Sequence, residues 1–130
     1  NFRRMYEFRN GRMPFAGATV GTAFRNEIAP RGTMRLREFQ LAEIEHFMNP
    51  SDKRHPKFAT VRDLEVPLWP REQQEAQGPP ILMALGDAVG AGVIDNETLG
   101  YFIGRVHLFV QAIGAKHLRF RQHRATEMAH

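Results

Sequence analysis

Between Asn96 and Gly114 the apolar residues Leu99, Phe102, Ile103, Val106, Phe109, Val110 and Ile113 recur at three- and four-residue intervals. That spacing gathers them on one face of a helix. Asp95 or Asn96 can cap its start, and Gly114 follows its end. Gly100 and Gly104, one turn apart, leave room for a close neighbour. Elsewhere the period is two. Ala23 to Ile28 and Met34 to Phe47 read as strands, with Pro30-Arg31-Gly32-Thr33 as a turn, so residues 20–47 form a β-hairpin with a basic tip. Leu118, Phe120 and Gln122 alternate with Arg119, Arg121 and His123, which predicts a strand over 117–123. Residues 2–8 suit a helix or an extended arm, Asn10-Gly11 a turn, and Ile81 to Ala91 a short helix. Residues 48–56 form a polar loop, and 57–68 stay ambiguous. The stretch 62–80, rich in Pro and polar residues, reads as an insertion-like loop without a core of its own, anchored by Trp69. A hairpin followed by helices over 81–113 predicts an α+β fold, an antiparallel β-sheet flanked by helices.

Composition narrows this picture. At 130 residues, 42% hydrophobic and 25% charged, the chain suits one compact domain and argues against disorder. No apolar run approaches the ~20 residues of a membrane span, and no signal segment is visible at the start, so no membrane partner is expected. The absence of cysteine excludes disulfides and thiolate metal sites. The net charge of +4 is uneven. Residues 1–40 hold eight basic and three acidic side chains, 41–97 five and ten, and 98–130 five and one. Fifteen of the eighteen basic residues are arginine, whose planar fork grips phosphate at two points. A phosphate-bearing partner fits that bias, and so does an ordinary Arg-rich surface. The six histidines are scattered without metal-ligand spacing, so no metal site is expected, and His107 reads as a surface or boundary residue. Ser51 is the one serine, which argues against a Ser/His/Asp triad.

The most concentrated charge lies in "FRNEIAPRGTMRLREF", residues 24–39, with four arginines and two glutamates. Residues two apart on a strand share a face. Arg25 and Glu27 therefore point one way, and Arg35, Arg37, Phe39, Leu41, Glu43 and Glu45 share a face of the second strand. If both faces are on one side of the sheet, that side offers guanidiniums for phosphates, an aromatic ring for a base and carboxylates for amino groups. Cross-strand Arg–Glu pairs on a solvated hairpin account for the same residues equally well.

The order of short motifs adds a resemblance. Phe24-Arg25-Asn26-Glu27, then Arg35-Leu36-Arg37-Glu38-Phe39, resembles motif 2 of the class II aminoacyl-tRNA synthetases, in the form found in glycyl-tRNA synthetases of the eukaryotic and archaeal type. "AEIEHF" (42–47), "HPKF" (55–58), "GDAV", "LGYFIGR", "LRFRQH" and "EMAH" follow in that family's order, and the likeness fades only around 62–80. The resemblance departs at the loop tip, one residue shorter than is usual, and at Ala29, where serine is usual. It implies part of a class II catalytic core that uses ATP and Mg²⁺ to join glycine to tRNA(Gly). In that reading Arg25 is catalytic, at the α-phosphate and the carbonyl under attack. Arg25, Asn26, Glu27, Arg35, Leu36 and Phe39 bind ATP, and Glu43 binds the ammonium of glycine. It further implies a homodimer formed through segments outside this chain, and a cytoplasmic protein, with an organellar form open. Motif 1, motif 3 and an anticodon-binding domain lie outside these residues, so the chain is expected to be the middle of a catalytic domain. Two classes stay open: a ligase segment, and a non-catalytic paralogue that binds nucleic acid or a protein.

Overall fold

The computed structural model describes residues 2–128; Asn1 and the end of the "EMAH" motif, Ala129 and His130, lie outside the described residues. The chain divides into two compact units, Asn1–Asp52 and Lys53–His130.

The first unit is a helix, α1 (Phe2–Phe8), and two antiparallel strands, β1 (Phe15–Phe24) and β2 (Glu38–Phe47). Register runs from Phe15 opposite Phe47 to Phe24 opposite Glu38, so odd-numbered residues of both strands share one face. Phe2 and Tyr6 of α1 stack with Phe15 and Phe47, holding the helix against the open end of the ribbon. Asn10 and Gly11 take positive φ and turn the chain from α1 towards β1, as the Asn-Gly pair predicts. The strands are shorter at the tip than the alternation suggests. β1 ends at Phe24 and β2 starts at Glu38, which leaves 25–37 as a structured loop. Inside it the backbones of Arg31 and Arg35 pair with each other across a turn that Gly32 makes at φ +53°.

The second unit is built on a three-stranded sheet of order β4-β3-β5: β3 (Glu65–Trp69), β4 (Ile81–Ala84) and β5 (Phe120–Arg121). β4 runs antiparallel to β3 and β5 parallel to it, so this sheet is mixed where an antiparallel one was expected. Three further helices belong here, α2 (Arg71–Glu75), α3 (Leu85–Gly90) and α4 (Glu97–Ala112). The α+β class holds.

Several expectations change. The stretch 62–80 is no coreless loop: β3 puts Val66 and Leu68 into the core, with Val66 fully enclosed. Two prolines hide that alternation. β5 pairs only with Leu68 and Trp69, so Pro67 lies where that edge is free and its missing N–H is tolerated. Trp69 does anchor the loop, its indole N–H bonding the Gly78 carbonyl at 2.9 Å. Residues 81–84 are strand, and the helix begins at Leu85. A four-residue apolar run carries no period that separates the two. The strand expected over 117–123 shrinks to Phe120–Arg121.

The long helix forms where its spacing predicts. The Asn96 side chain accepts the Leu99 N–H at 2.9 Å, and Gly114 ends the helix at φ +94° while Ala115 N–H returns to the Val110 carbonyl. Its buried residues, however, are Thr98, Gly100, Gly104 and His107. A Cβ on Gly104 would stand 2.8 Å from Leu85 Cδ1 and 2.9 Å from Val61 Cβ, so the backbone itself meets the core. The apolar stripe is rotated away from that side: Ile103 still packs against the core, but Phe109 is 64% and Ile113 67% exposed. His107 is buried, contrary to its reading as a surface or boundary residue. It faces Phe120, and its Nδ1 has no hydrogen-bond partner among the described residues.

Candidate active site

The loop between β1 and β2 is organised by main-chain bonds that side chains complete. Arg25 N–H donates to the Arg37 carbonyl at 2.9 Å, carrying the ladder one step past Phe24. The Glu27 carboxylate accepts the Ala29 N–H at 3.1 Å, fixing the turn before Pro30. The Glu27 carbonyl accepts the Arg37 Nε–H at 3.0 Å, tying the start of the loop to its end. Glu27 thus does two jobs through two oxygens, and its half-buried position follows from them.

On this frame Arg25, Glu27, Thr33, Met34, Arg35, Leu36 and Phe39 line a cleft of about 520 Å³. The Arg25 guanidinium lies over the Phe39 ring, 5.4 Å from its centroid. A cation over an aromatic face is favourable by ~0.5–1 kcal/mol where exposed. The expected sharing of a face by Arg25 and Phe39 is therefore met. Five of the seven expected site residues, Arg25, Glu27, Arg35, Leu36 and Phe39, come together here. Asn26 is exposed and outside the cleft lining. Glu43 is outside it too, on the Phe39 side of β2, opposite Thr19. Four residue steps of strand separate Glu43 from Phe39, about 13 Å at ~3.3 Å per residue.

Sequence reasoning gave Thr33 and Met34 no role in the site. Thr33 and Met34 reach the cleft because the loop folds back at Gly32. Arg37 had been placed only among the charges. Its clamp on a carbonyl ten residues earlier leaves no periodic trace in a sequence.

No group of three or more histidine, aspartate or glutamate side chains converges among the described residues. The donors among the described residues therefore build no cage for the Mg²⁺ that the resemblance implies. No helix among the described residues is long and apolar enough to cross a membrane.

The basic strand of the second unit is largely engaged internally. The Arg119 guanidinium lies 4.3 Å from the Trp69 ring centroid. Arg121 donates to the Glu127 carboxylate at 2.8 Å. That bond, with the Arg124 backbone N–H, holds the Glu127 carboxyl at about 2. The Asn96 side chain and Lys53 likewise hold Asp95 below the usual carboxylate range.

Comparison with known proteins bears directly on the resemblance. No protein-family model matches the chain. All of the chain aligns at 52% identity with glycine–tRNA ligase 1, mitochondrial, of Saccharomyces cerevisiae, covering 19% of that protein. It aligns at 50% with the glycine–tRNA ligase of Bombyx mori, covering 18%, and at 50% with glycine–tRNA ligase 2 of Saccharomyces cerevisiae, covering 22%. A relative from Arabidopsis thaliana carries the word cytoplasmic in its name. The chain spans about a fifth of the length of these relatives. Over its entire length, then, this chain is homologous to one segment of the glycine–tRNA ligases.

Proposed function

We propose that the chain is the ATP- and glycine-binding segment of a glycine–tRNA ligase, part of a class II catalytic domain. The observation that carries this is the cleft on the hairpin, where two arginines, a carboxylate-braced loop and an aromatic ring meet in a homologue of such ligases. The longer protein activates glycine with ATP to glycyl-adenylate and pyrophosphate, then transfers the glycyl group to the terminal adenosine of tRNA(Gly).

Arg25 lies beside the α-phosphate and the glycine carboxylate that attacks it in line. Its guanidinium stabilises the negative charge that grows on the non-bridging oxygens as the bond to pyrophosphate breaks. Arg35, at the far side of the loop, holds the outer phosphates. Phe39 stacks on the adenine, and the Leu36 backbone reads its edge. Asn26 and Glu27 shape the pocket, Glu27 by bracing the loop. Glu43 accepts the ammonium of glycine. The span of about 13 Å from Phe39 to Glu43 supports this order, because it suits an adenylate laid along β2. Mg²⁺ would neutralise phosphate charge, arriving with ATP. No covalent enzyme intermediate is needed; positioning and electrostatics account for the rate. A homodimer formed outside these residues and a cytoplasmic location belong to the same proposal, with relatives of both cytoplasmic and mitochondrial name leaving the organelle open.

The test is glycine-dependent ATP–pyrophosphate exchange by the longer protein that carries this segment. Arg25→Ala is expected to lower exchange by roughly 10²–10³-fold, the range for removing one charge-stabilising donor. A parent protein that exchanges with glycine while Arg25→Ala leaves the rate untouched would remove Arg25 from the chemistry. A parent inactive with every amino acid would favour a non-catalytic paralogue.

A further inference from the structure

The α1 segment carries charge that the ligase chemistry leaves unused. Residues 2–13 contain Arg3, Arg4, Arg9 and Arg12 against one acid, Glu7. Arg3 is spent on Glu7, at 2.9 Å. Among the described residues Arg4, Arg9 and Arg12 have no carboxylate within 4.0 Å. There is no lysine anywhere in the first unit. Beside these guanidiniums Phe8 stands 86% exposed, outside the aromatic stack that Phe2 and Tyr6 make with the ribbon. Arg4, Met5, Phe8, Arg9, Phe15 and Ala16 line a cleft of about 370 Å³. Its lining joins the buried Phe15 to the exposed Phe8 ring and two exposed arginines.

A bare aromatic ring flanked by arginines is the combination that binds single-stranded nucleic acid. The ring takes an unstacked base, and the guanidiniums take the phosphates on either side. An acidic protein would pair with the arginines but has no use for Phe8.

We propose that this α1 cleft is a second contact for RNA, separate from the hairpin cleft, in which Arg4 and Arg9 hold backbone phosphates and Phe8 stacks on an unpaired base of the tRNA substrate. The proposal rests on the ligase reading for the identity of the RNA. It adds affinity for tRNA and leaves glycine activation alone.

The experiment uses the longer protein carrying this segment and a tRNA(Gly) transcript, with Kd measured over a salt series and pyrophosphate exchange measured without tRNA. Arg4→Ala/Arg9→Ala should weaken tRNA binding about tenfold and lower the slope of log Kd against log salt by about 1 to 2, as two phosphate contacts are lost. Phe8→Ala should weaken binding about fivefold or more with the slope unchanged, since stacking releases few ions. Exchange should match the parent in both. A tRNA affinity and a salt slope equal to the parent's in Arg4→Ala/Arg9→Ala would overturn the proposal. So would weakened binding by that variant with no effect of Phe8→Ala and equal competition by poly-glutamate, which would assign the surface to an acidic protein. Should exchange fall as well, Arg4→Lys/Arg9→Lys, with the charge kept, must restore both readouts, or the contact is structural and the proposal fails. A parent without exchange sinks the ligase reading alone, because RNA binding dependent on Arg4, Arg9 and Phe8 is read independently.

Discussion

Arg25 and Arg37 are bonded to each other through the backbone, yet their side chains serve different ends. The Arg25 guanidinium lies over Phe39 on the cleft, free to meet a ligand, whereas Arg37 is committed to the Glu27 carbonyl. Arg37 is therefore a positioning residue. Its bond is exposed and charge-assisted, so its net worth is about 1–1.5 kcal/mol, or five- to tenfold in an equilibrium. On the proposed function, Arg37→Ala in the longer protein should raise the KM for ATP by that factor and change kcat less, because the loop must be ordered anew each time ATP binds. Arg37→Lys restores the charge but not the planar Nε–H, so it should resemble alanine. Full rescue by lysine would mean that only the charge matters. At this scale the sequence was readable where side chains alternate: Arg25 and Phe39 share a face because both lie on the paired ribbon or one step past it. It was unreadable where a side chain crosses the loop to a backbone group, because that bond leaves neither a period nor a motif.

Among the elements, α4 shows most clearly what periodicity conveys and what it hides. Its start, its stop and its handed stripe of apolar residues were all legible between Asn96 and Gly114. The stripe reads as core or interface packing, yet the core side of the helix is Gly100, Gly104 and His107. Glycine does not register in a hydrophobic pattern, although it lets a helix backbone approach Leu85 and Val61 directly. The two faces therefore respond oppositely to substitution. Gly104→Ala gains up to ~1 kcal/mol in helix propensity. It also drives a methyl to within 2.9 Å of Val61 Cβ, which sits next to backbone and cannot swing away. Overpacking of this kind costs ~1–3 kcal/mol, so after the ~1 kcal/mol propensity gain a net loss of up to about 2 kcal/mol is expected in a urea melt. Phe109→Ser, at a position 64% exposed, should stay within about 0.5 kcal/mol. A neutral Gly104→Ala together with a damaging Phe109→Ser would reverse the assignment of the two faces. The same limit explains β3 and β4: their alternation is interrupted by proline or is too short to distinguish from a helical turn.

For the molecule as a whole, the two units have unequal means of support. The Lys53–His130 unit has an enclosed apolar core of Phe58, Val61, Val66, Leu68, Leu85, Ala88 and Ile94. Among its described residues, the Asn1–Asp52 unit buries Phe15 alone of the large apolar side chains. On the even-numbered face of its ribbon Val20 is 80%, Phe24 74% and Ile44 70% exposed. A two-stranded sheet with one face open is marginal in water, because its backbone bonds compete with solvent and little apolar area offsets the chain entropy. The unit that carries the hairpin cleft is thus the one least able to hold its own shape. That agrees with a chain spanning a fifth of its relatives, whose remaining length is available to cover such a face. Hydrogen exchange measured on the 130-residue chain should find amides of β1 and β2 exchanging at least about a hundredfold faster than those of β3 and the inner face of α4. In the longer protein the gap should narrow, with β1 and β2 gaining most of the protection. Equal protection of both units in the short chain would mean that the ribbon draws its stability from its own cross-strand pairs and the aromatic stack under α1. The cleft would then be preformed without the rest of the protein, and the short chain should bind ATP by itself.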